Sequence, residues 1–165
     1  MEFSDVIKNR YSCKKFSSEQ IGKDKLDAIL EAGRVAPTAK NLQEQHIYVV
    51  QSESALETID KLTPCRYNAP TVLIVAYNKN NVFTYLGDKR NSGIEDATIV
   101  ATHLMLAAYN EGVDSCWINF FNPDELAKAF NLPEDEEILM LLDLGVADKT
   151  TTPLPNPVSY THLTL

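Results

Sequence analysis

The sequence predicts a mixed α/β or α+β domain, with helices packed on a central sheet. Three observations carry this. Helix-like and strand-like stretches are interleaved along all 165 residues, with no internal repeat. Residues 70–77 are almost wholly apolar, the pattern of a strand buried on both faces. Residues 94–111 form a helix that is apolar around most of its circumference, and such a helix must be buried on several sides. In a chain of this length, that points to a central helix completed by a second subunit.

The elements follow in order. Phe3, Val6 and Ile7 keep helical spacing, with Ser4 and Asp5 as expected cap residues. Ser17, Ser18 and Gly22 mark a turn into a second helix, which carries Leu26, Ile29 and Leu30 on one face. Pro37 stops it near Ala36. Residues 46–50 read as a strand by their β-branched and aromatic content. Ser54 to Glu57 has the form of a capping box that opens a third helix, to about Leu62. After the apolar strand come polar turn residues 78–81 and an unpatterned loop, 83–91. Ser92 is the expected cap of the central helix, Glu95 and Asp96 suit its N-terminal dipole, and Gly112 closes it. Residues 115–121 give a third strand. Asn122-Pro123-Asp124-Glu125 is a helix start with amide cap, proline and acids in the right places, and that helix ends near Phe130. Residues 137–145 supply a fourth strand. From Asp148 onward the chain is Thr- and Pro-rich and is expected to be extended.

Composition narrows the function. Hydrophobic residues make up 44% and charged residues 23%, the mix of a globular domain. The net charge of -8 argues against nucleic acid as the main partner. No apolar run reaches the length of a membrane helix, and the N-terminus lacks signal-peptide character, so a cytoplasmic location is expected. Cys13, Cys65 and Cys116 are few, odd in number and widely spaced, which fits reduced thiols. Dinucleotide glycine fingerprints, P-loops, hydrolase elbows and metal-ligand pairs are absent from the sequence. His103, in the central helix, is expected to be a hydrogen-bonded packing residue. No metal site is expected.

Two stretches carry chemistry. In an extended segment Arg10, Ser12 and Lys14 point to one side, and Tyr11 and Cys13 to the other. A guanidinium, a hydroxyl and an ammonium together suit a phosphate. Taken alone, such a run reads more simply as a solvated basic turn. The second stretch is the loop Ala36-Pro37-Thr38-Ala39-Lys40-Asn41-Leu42-Gln43. Asn41 and Gln43 offer donors and acceptors that can read the edge of a planar heterocycle. Taken alone, it reads as a connection into the next strand.

Together these stretches resemble the nitroreductase family of flavoenzymes. Arg10, Ser12, Lys14 and Phe16 match its opening Arg-x-Ser-x-Arg/Lys-x-Phe pattern. Ala36 to Gln43 match its Ala-Pro-Ser/Thr-small-x-Asn-x-Gln loop. Ala69-Pro70, the stretch from Ser92 to Asp96, Gly112 and Ser115 to Ile118 are similar to later family features. Leu144-Gly145 matches a strand end at which Val146-Ala147 replaces the usual Tyr-Pro. The resemblance covers about residues 3–147 and implies an α+β sandwich, a mostly antiparallel sheet flanked by helices, that forms an intertwined homodimer.

The resemblance also implies FMN, with NADH or NADPH as electron donor. The acceptor would be a nitroaromatic, quinone or similar small molecule, reduced by a ping-pong mechanism. Arg10 and Ser12 would hold the FMN phosphate and ribityl chain, and Lys14 the pyrimidine end. Pro37, Thr38, Ala39, Asn41 and Gln43 complete the implied set, the loop coming from the other subunit. Gly93 and Ile94 would lie near the reactive edge, their backbone donors available to the flavin. No protein nucleophile is implied, so Cys13 and Cys116 are expected to be buried packing residues. Two alternatives stay open: a cofactor-poor or inactive dimeric binding protein on the same fold, and a flavin enzyme of another reaction.

The end of the chain departs from the family. Pro153 to Pro157 lacks its usual C-terminal basic residue. Residues 158–165 resemble a translated sequencing-adapter scar, so the domain is expected to occupy residues 1–157 and the rest to be a non-native tail.

Overall fold

The computed structural model describes residues 1–87 and 89–153. The expectations for the tail beyond Pro153 therefore lie outside the described residues. Four strands, β1 (Gln45–Val50), β2 (Thr71–Asn78), β3 (Asp114–Ile118) and β4 (Glu136–Gly145), form one antiparallel sheet in the order β1-β2-β4-β3. The helices are α1 (Phe3–Asn9), α2 (Lys23–Arg34), α3 (Glu53–Leu62), α4 (Gly93–Asn110) and α5 (Pro123–Ala129).

Side-chain alternation gives the sheet two faces, each with its own core. Leu73, Val75, Met140 and Leu142 meet α4 and α2 on one face. Ile74, Ala76, Leu141 and Ile118 meet α3 and α5 on the other. The predicted α+β sandwich is what forms. β2 is buried along all but its last residue, because both of its faces are covered and both of its neighbours are strands.

Local signals were mostly realised. Asn122 caps α5 through its Oδ1, which accepts from Asp124 N and Glu125 N at 3.0 and 3.3 Å. Gly112 takes φ +69°, and Gly112 N and Val113 N donate back to Tyr109 O and Ala108 O, closing α4. Other caps differ from expectation. Glu2, not Ser4 or Asp5, is the N-cap of α1, and Ser52, not Ser54, is that of α3; neither makes a side-chain cap bond. Ser92 stands at the N-cap of α4, but its hydroxyl accepts from Phe83 N at 3.1 Å instead of capping the helix. The 83–91 loop is thereby pinned as a small hairpin, with a Thr84–Asn91 bridge. Asp148 to Thr151 is a turn rather than an extended run, held by Lys15 through Thr150 and Asp148.

α4 is not enclosed within the single chain. One side, with Ala97, Val100, Ala101, Leu104 and Ala108, is buried. The other carries His103 and Leu106 along a groove of about 570 Å³, bordered by Phe3 from α1, and leaves Ile99 exposed. His103 is half-buried in that groove and has no hydrogen-bond partner among the described residues, so the expected bonded packing role is not what the chain shows.

Candidate functional site

The basic segment is laid against the free edge of β3. Cys13 N donates to Ser115 O at 2.9 Å, and Ser12 pairs with Ser115 as a parallel bridge. Further on, Phe16 pairs with Ala147 and Ser17 N donates to Val146 O at 2.8 Å. This extended course produces the predicted alternation. Arg10, Ser12 and Lys14 are exposed, Tyr11 is half-buried and Cys13 is fully buried. Among the described residues, no acidic side chain pairs with Arg10 or Lys14. In a chain of net charge -8, two uncompensated cations flanking a hydroxyl form a donor set for an anion.

Ser12 and Lys14 line a cavity of about 300 Å³ with Cys116, Trp117, Asn119 and Tyr67. Trp117 Nε1 donates to Asn119 Oδ1 at 3.1 Å, which fixes the indole in the cavity that Lys14 also lines. The sequence read residues 115–121 only as a strand. The strand ends at Ile118, and its exit forms this wall.

The thiols beneath are inert. Burial, and then the neighbouring Asp143, push Cys116 up to about 12. Burial raises Cys13 as well. Both therefore stay protonated at neutral pH, as expected of packing residues rather than nucleophiles. Asp143 itself is fully buried on β4 with no donor to either oxygen, and burial pushes it up to about 9. Arg66 is near, but its guanidinium is taken by Asp60 and by Ala69 O.

The second stretch folds into a tight knot. Residues Ala39–Asn41 make one 3-10 turn, and Lys40, Asn41 and Gln43 all adopt positive φ, between 52° and 55°. Three non-glycine residues in the left-handed region store strain that the surroundings must hold. Gln43 does much of the holding. Its Nε2 donates to Asn41 Oδ1 at 2.9 Å and reaches Ala36 O and Thr38 Oγ1, while its backbone N donates to Thr38 Oγ1. Gln43 is thus committed within the loop. Pro37 and Asn41 remain exposed, Thr38 and Ala39 partly so. Lys40 lies over the Phe83 ring at 4.7 Å, joining this loop to the hairpin.

Gly93 and Ile94 open α4 directly beside this loop, and Ala39 N donates to Asp96 Oδ1 at 2.9 Å. Gly93 is buried, and its N–H donates to Asn91 Oδ1 at 3.0 Å. A Cβ there would lie 2.3 Å from the Tyr77 ring, so close packing of Tyr77 already requires the glycine. Ile94, 57% exposed, is the member of the pair left facing outward. Within one chain, the structure brings Pro37, Thr38, Ala39 and Asn41 together with Gly93 and Ile94. Arg10, Ser12 and Lys14 form a separate group at the β3 edge. Asp96 and the buried Glu44 were not singled out in the sequence, where Asp96 reads as a helix-start acid and Glu44 as one more polar loop residue.

Comparison with known proteins gives concordant matches. The model of the nitroreductase family matches residues 7–65 and 63–146. The Bacillus subtilis protein named NAD(P)H nitroreductase YodC is 28% identical, over 88% of this chain and 89% of its own. A crystal structure of a nitroreductase family protein from Clostridium difficile 630 superposes with a TM-score of 0.87 at 33% identity, covering 99% of this chain and 100% of that one. A nitroreductase from Exiguobacterium sibiricum, solved in complex with FMN, shares the fold with a TM-score of 0.83 at 21% identity, over 96% of this chain and 94% of its own.

Proposed function

Given that the chain belongs to the nitroreductase family, we propose that it is an FMN-dependent oxidoreductase, taking electrons from NADH or NADPH and delivering them to a nitroaromatic, quinone or similar acceptor in two half-reactions at one site. The observation that carries this reading is the exposed, unpaired face of Arg10, Ser12 and Lys14 beside the cavity walled by Trp117 and Asn119. It is a donor set suited to a phosphate, in a protein that otherwise repels anions. Bound FMN would supply the electron-transfer chemistry.

The chain's own residues bind and orient. Arg10 and Ser12 would hold the phosphate and ribityl chain, and Lys14 would place positive charge at the pyrimidine end, where reduction adds negative charge. Pro37, Thr38, Ala39 and Asn41 would present the second wall from the partner subunit, with Gln43 keeping the loop in shape. Ile94 would border the reactive edge. Gly93 N is already taken by Asn91, so a hydrogen bond from it to the cofactor would require Asn91 to release it.

The homodimer has its support in the α1–α4 face. Phe3, 67% exposed, borders the groove along α4, and Ile7 on the same helix is 48% exposed. An apolar face of this kind fits burial against a second copy.

The test is a visible spectrum of the purified protein with added FMN, before and after anaerobic NADH or NADPH. Flavin bands that bleach on reduction are expected. Arg10→Ala should weaken FMN binding by about tenfold or more, because a charge-assisted bidentate contact is lost. A protein that takes up no FMN would overturn the reading.

A further inference from the structure

Glu44 and Asp96 are 2% and 3% exposed and meet at the junction of the 37–43 loop, β1 and α4. They hold four carboxyl oxygens between them. One, Asp96 Oδ1, accepts from Ala39 N. The other three have no donor. We propose that Glu44 and Asp96 share a single proton, and that this proton fastens the 37–43 loop to the first turn of α4, so that Glu44 is a positioning residue whose hold on the loop is released as pH rises. Any role of that loop at a flavin rests on the function proposed above; the shared proton does not.

The surroundings leave few other solutions. Two buried carboxylates in contact repel strongly where the dielectric is low, whereas one proton turns them into a donor and an acceptor. Among the described residues, no cation bears on Glu44. Lys40 is turned over the Phe83 ring, and Lys79 lines a separate groove with Asp124 and Glu136. From β1, Gln45 contributes a buried Nε2 with no acceptor in bonding geometry, which favours ionisation of Glu44 only weakly. From β2, Asn78 N holds Glu44 O at 2.9 Å and so fixes the residue's backbone, while the Tyr77 hydroxyl is directed to Glu137. From α4, Asp96 is the only titratable group that bears on Glu44.

The consequence for the loop is direct. Ala39 sits in a turn followed by three positive-φ residues, a conformation that must be held from outside. Its tether is the Asp96 carboxyl, whose position depends on what Glu44 does. Burial, and then Asp96, push Glu44 from the ordinary 4.5 up to about 7. A raised acid favours the closed, buried arrangement at low pH, and that advantage is lost as pH rises from about 4.5 to about 7.

The experiment uses the full chain without added flavin. The Glu44 carboxyl carbon is followed by NMR from pH 4 to 9, and the protection of the Ala39 amide is measured over the same range, corrected for intrinsic exchange. We expect Glu44 to titrate near 7 and Ala39 protection to fall about tenfold between pH 6 and pH 8. Glu44→Gln, whose amide is a permanent donor to Asp96, should remove that fall. Asp96→Asn, which keeps an acceptor for Ala39 and a donor for Glu44, serves the same purpose should the first variant not fold. Glu44 titrating as an ordinary carboxylate, or Ala39 protection with the same pH profile in wild type and variants, would overturn the inference. A parallel FMN titration separates the two readings. A pH-dependent Ala39 that glutamine flattens, in a protein that never binds FMN, would leave the shared proton standing and remove only the flavin.

Discussion

Glu44 and Glu136 are both buried, and both flank Asn78 at one end of the sheet. Asn78 N holds Glu44 O on one side, and Asn78 pairs in register with Glu136 on the other. Glu136 is fully served: His46 Nδ1 pairs with Oε1, and the Tyr48 hydroxyl donates to Oε2. Glu44 has no donor at all. The same residue type at the same depth is satisfied in one place and left to share a neighbour's proton in the other. Satisfied carboxylates build the scaffold. The unsatisfied one lies against the strained loop, where a hold that can be released has a use.

The comparison can be broken most forcefully at Glu136. Glu136→Ala leaves the half-buried Tyr48 hydroxyl without its acceptor and the exposed His46 ring to water, and should cost about 1–3 kcal/mol in urea unfolding at pH 7. A much smaller loss would mean that Glu136 is no better served than Glu44. Asp143, buried like Glu44 and likewise without a donor among the described residues, extends the series. Its folded value is raised from 3.8 to about 9, so its contribution favours folding at low pH and is lost as pH climbs between those values. Asp143→Asn should therefore be near neutral at pH 4 and stabilising by about 1–3 kcal/mol at pH 8. Chemical denaturation at the two pH values decides it.

Glu44→Gln should follow the same sign over a narrower window, near neutral at pH 4.5 and stabilising by about 1–2 kcal/mol at pH 8. A destabilised variant at pH 8 would show that ionised Glu44 has a partner after all. Tyr48→Phe sharpens the other side. It removes one of two donors to Glu136 and should cost about 1 kcal/mol, with no new pH dependence between 5 and 8, checked in the same unfolding series.

Much of this architecture was legible from local pattern. The apolar run of β2, the helix α4, the Gly112 terminus and the Asn122 cap are decided by residues close in sequence, and each formed where periodicity put it. The alternation of Arg10, Ser12 and Lys14 was legible for the same reason. What escaped depends on distant partners. Ser92 looks like a cap, yet its hydroxyl is claimed by Phe83 N across the hairpin. Gly93 looks like a ligand-facing glycine, yet the Tyr77 ring fills the space beside it. Gln43 looks like a reader of heterocycles, but its amide is spent inside its own loop. Glu44, between two amides, looks like a solvated residue, and only the packing of α4 on the loop encloses it.

The seating of the basic segment has a consequence for how the protein is made. Arg10, Ser12 and Lys14 leave the ribosome well before the platform that seats them. The strand they lie on begins at Asp114, and the anchor of Phe16 is Ala147. Residues made early and a platform made late cannot meet until Ala147 has emerged. The basic face thereby takes its shape only once β3, β4 and the turn after them are in place.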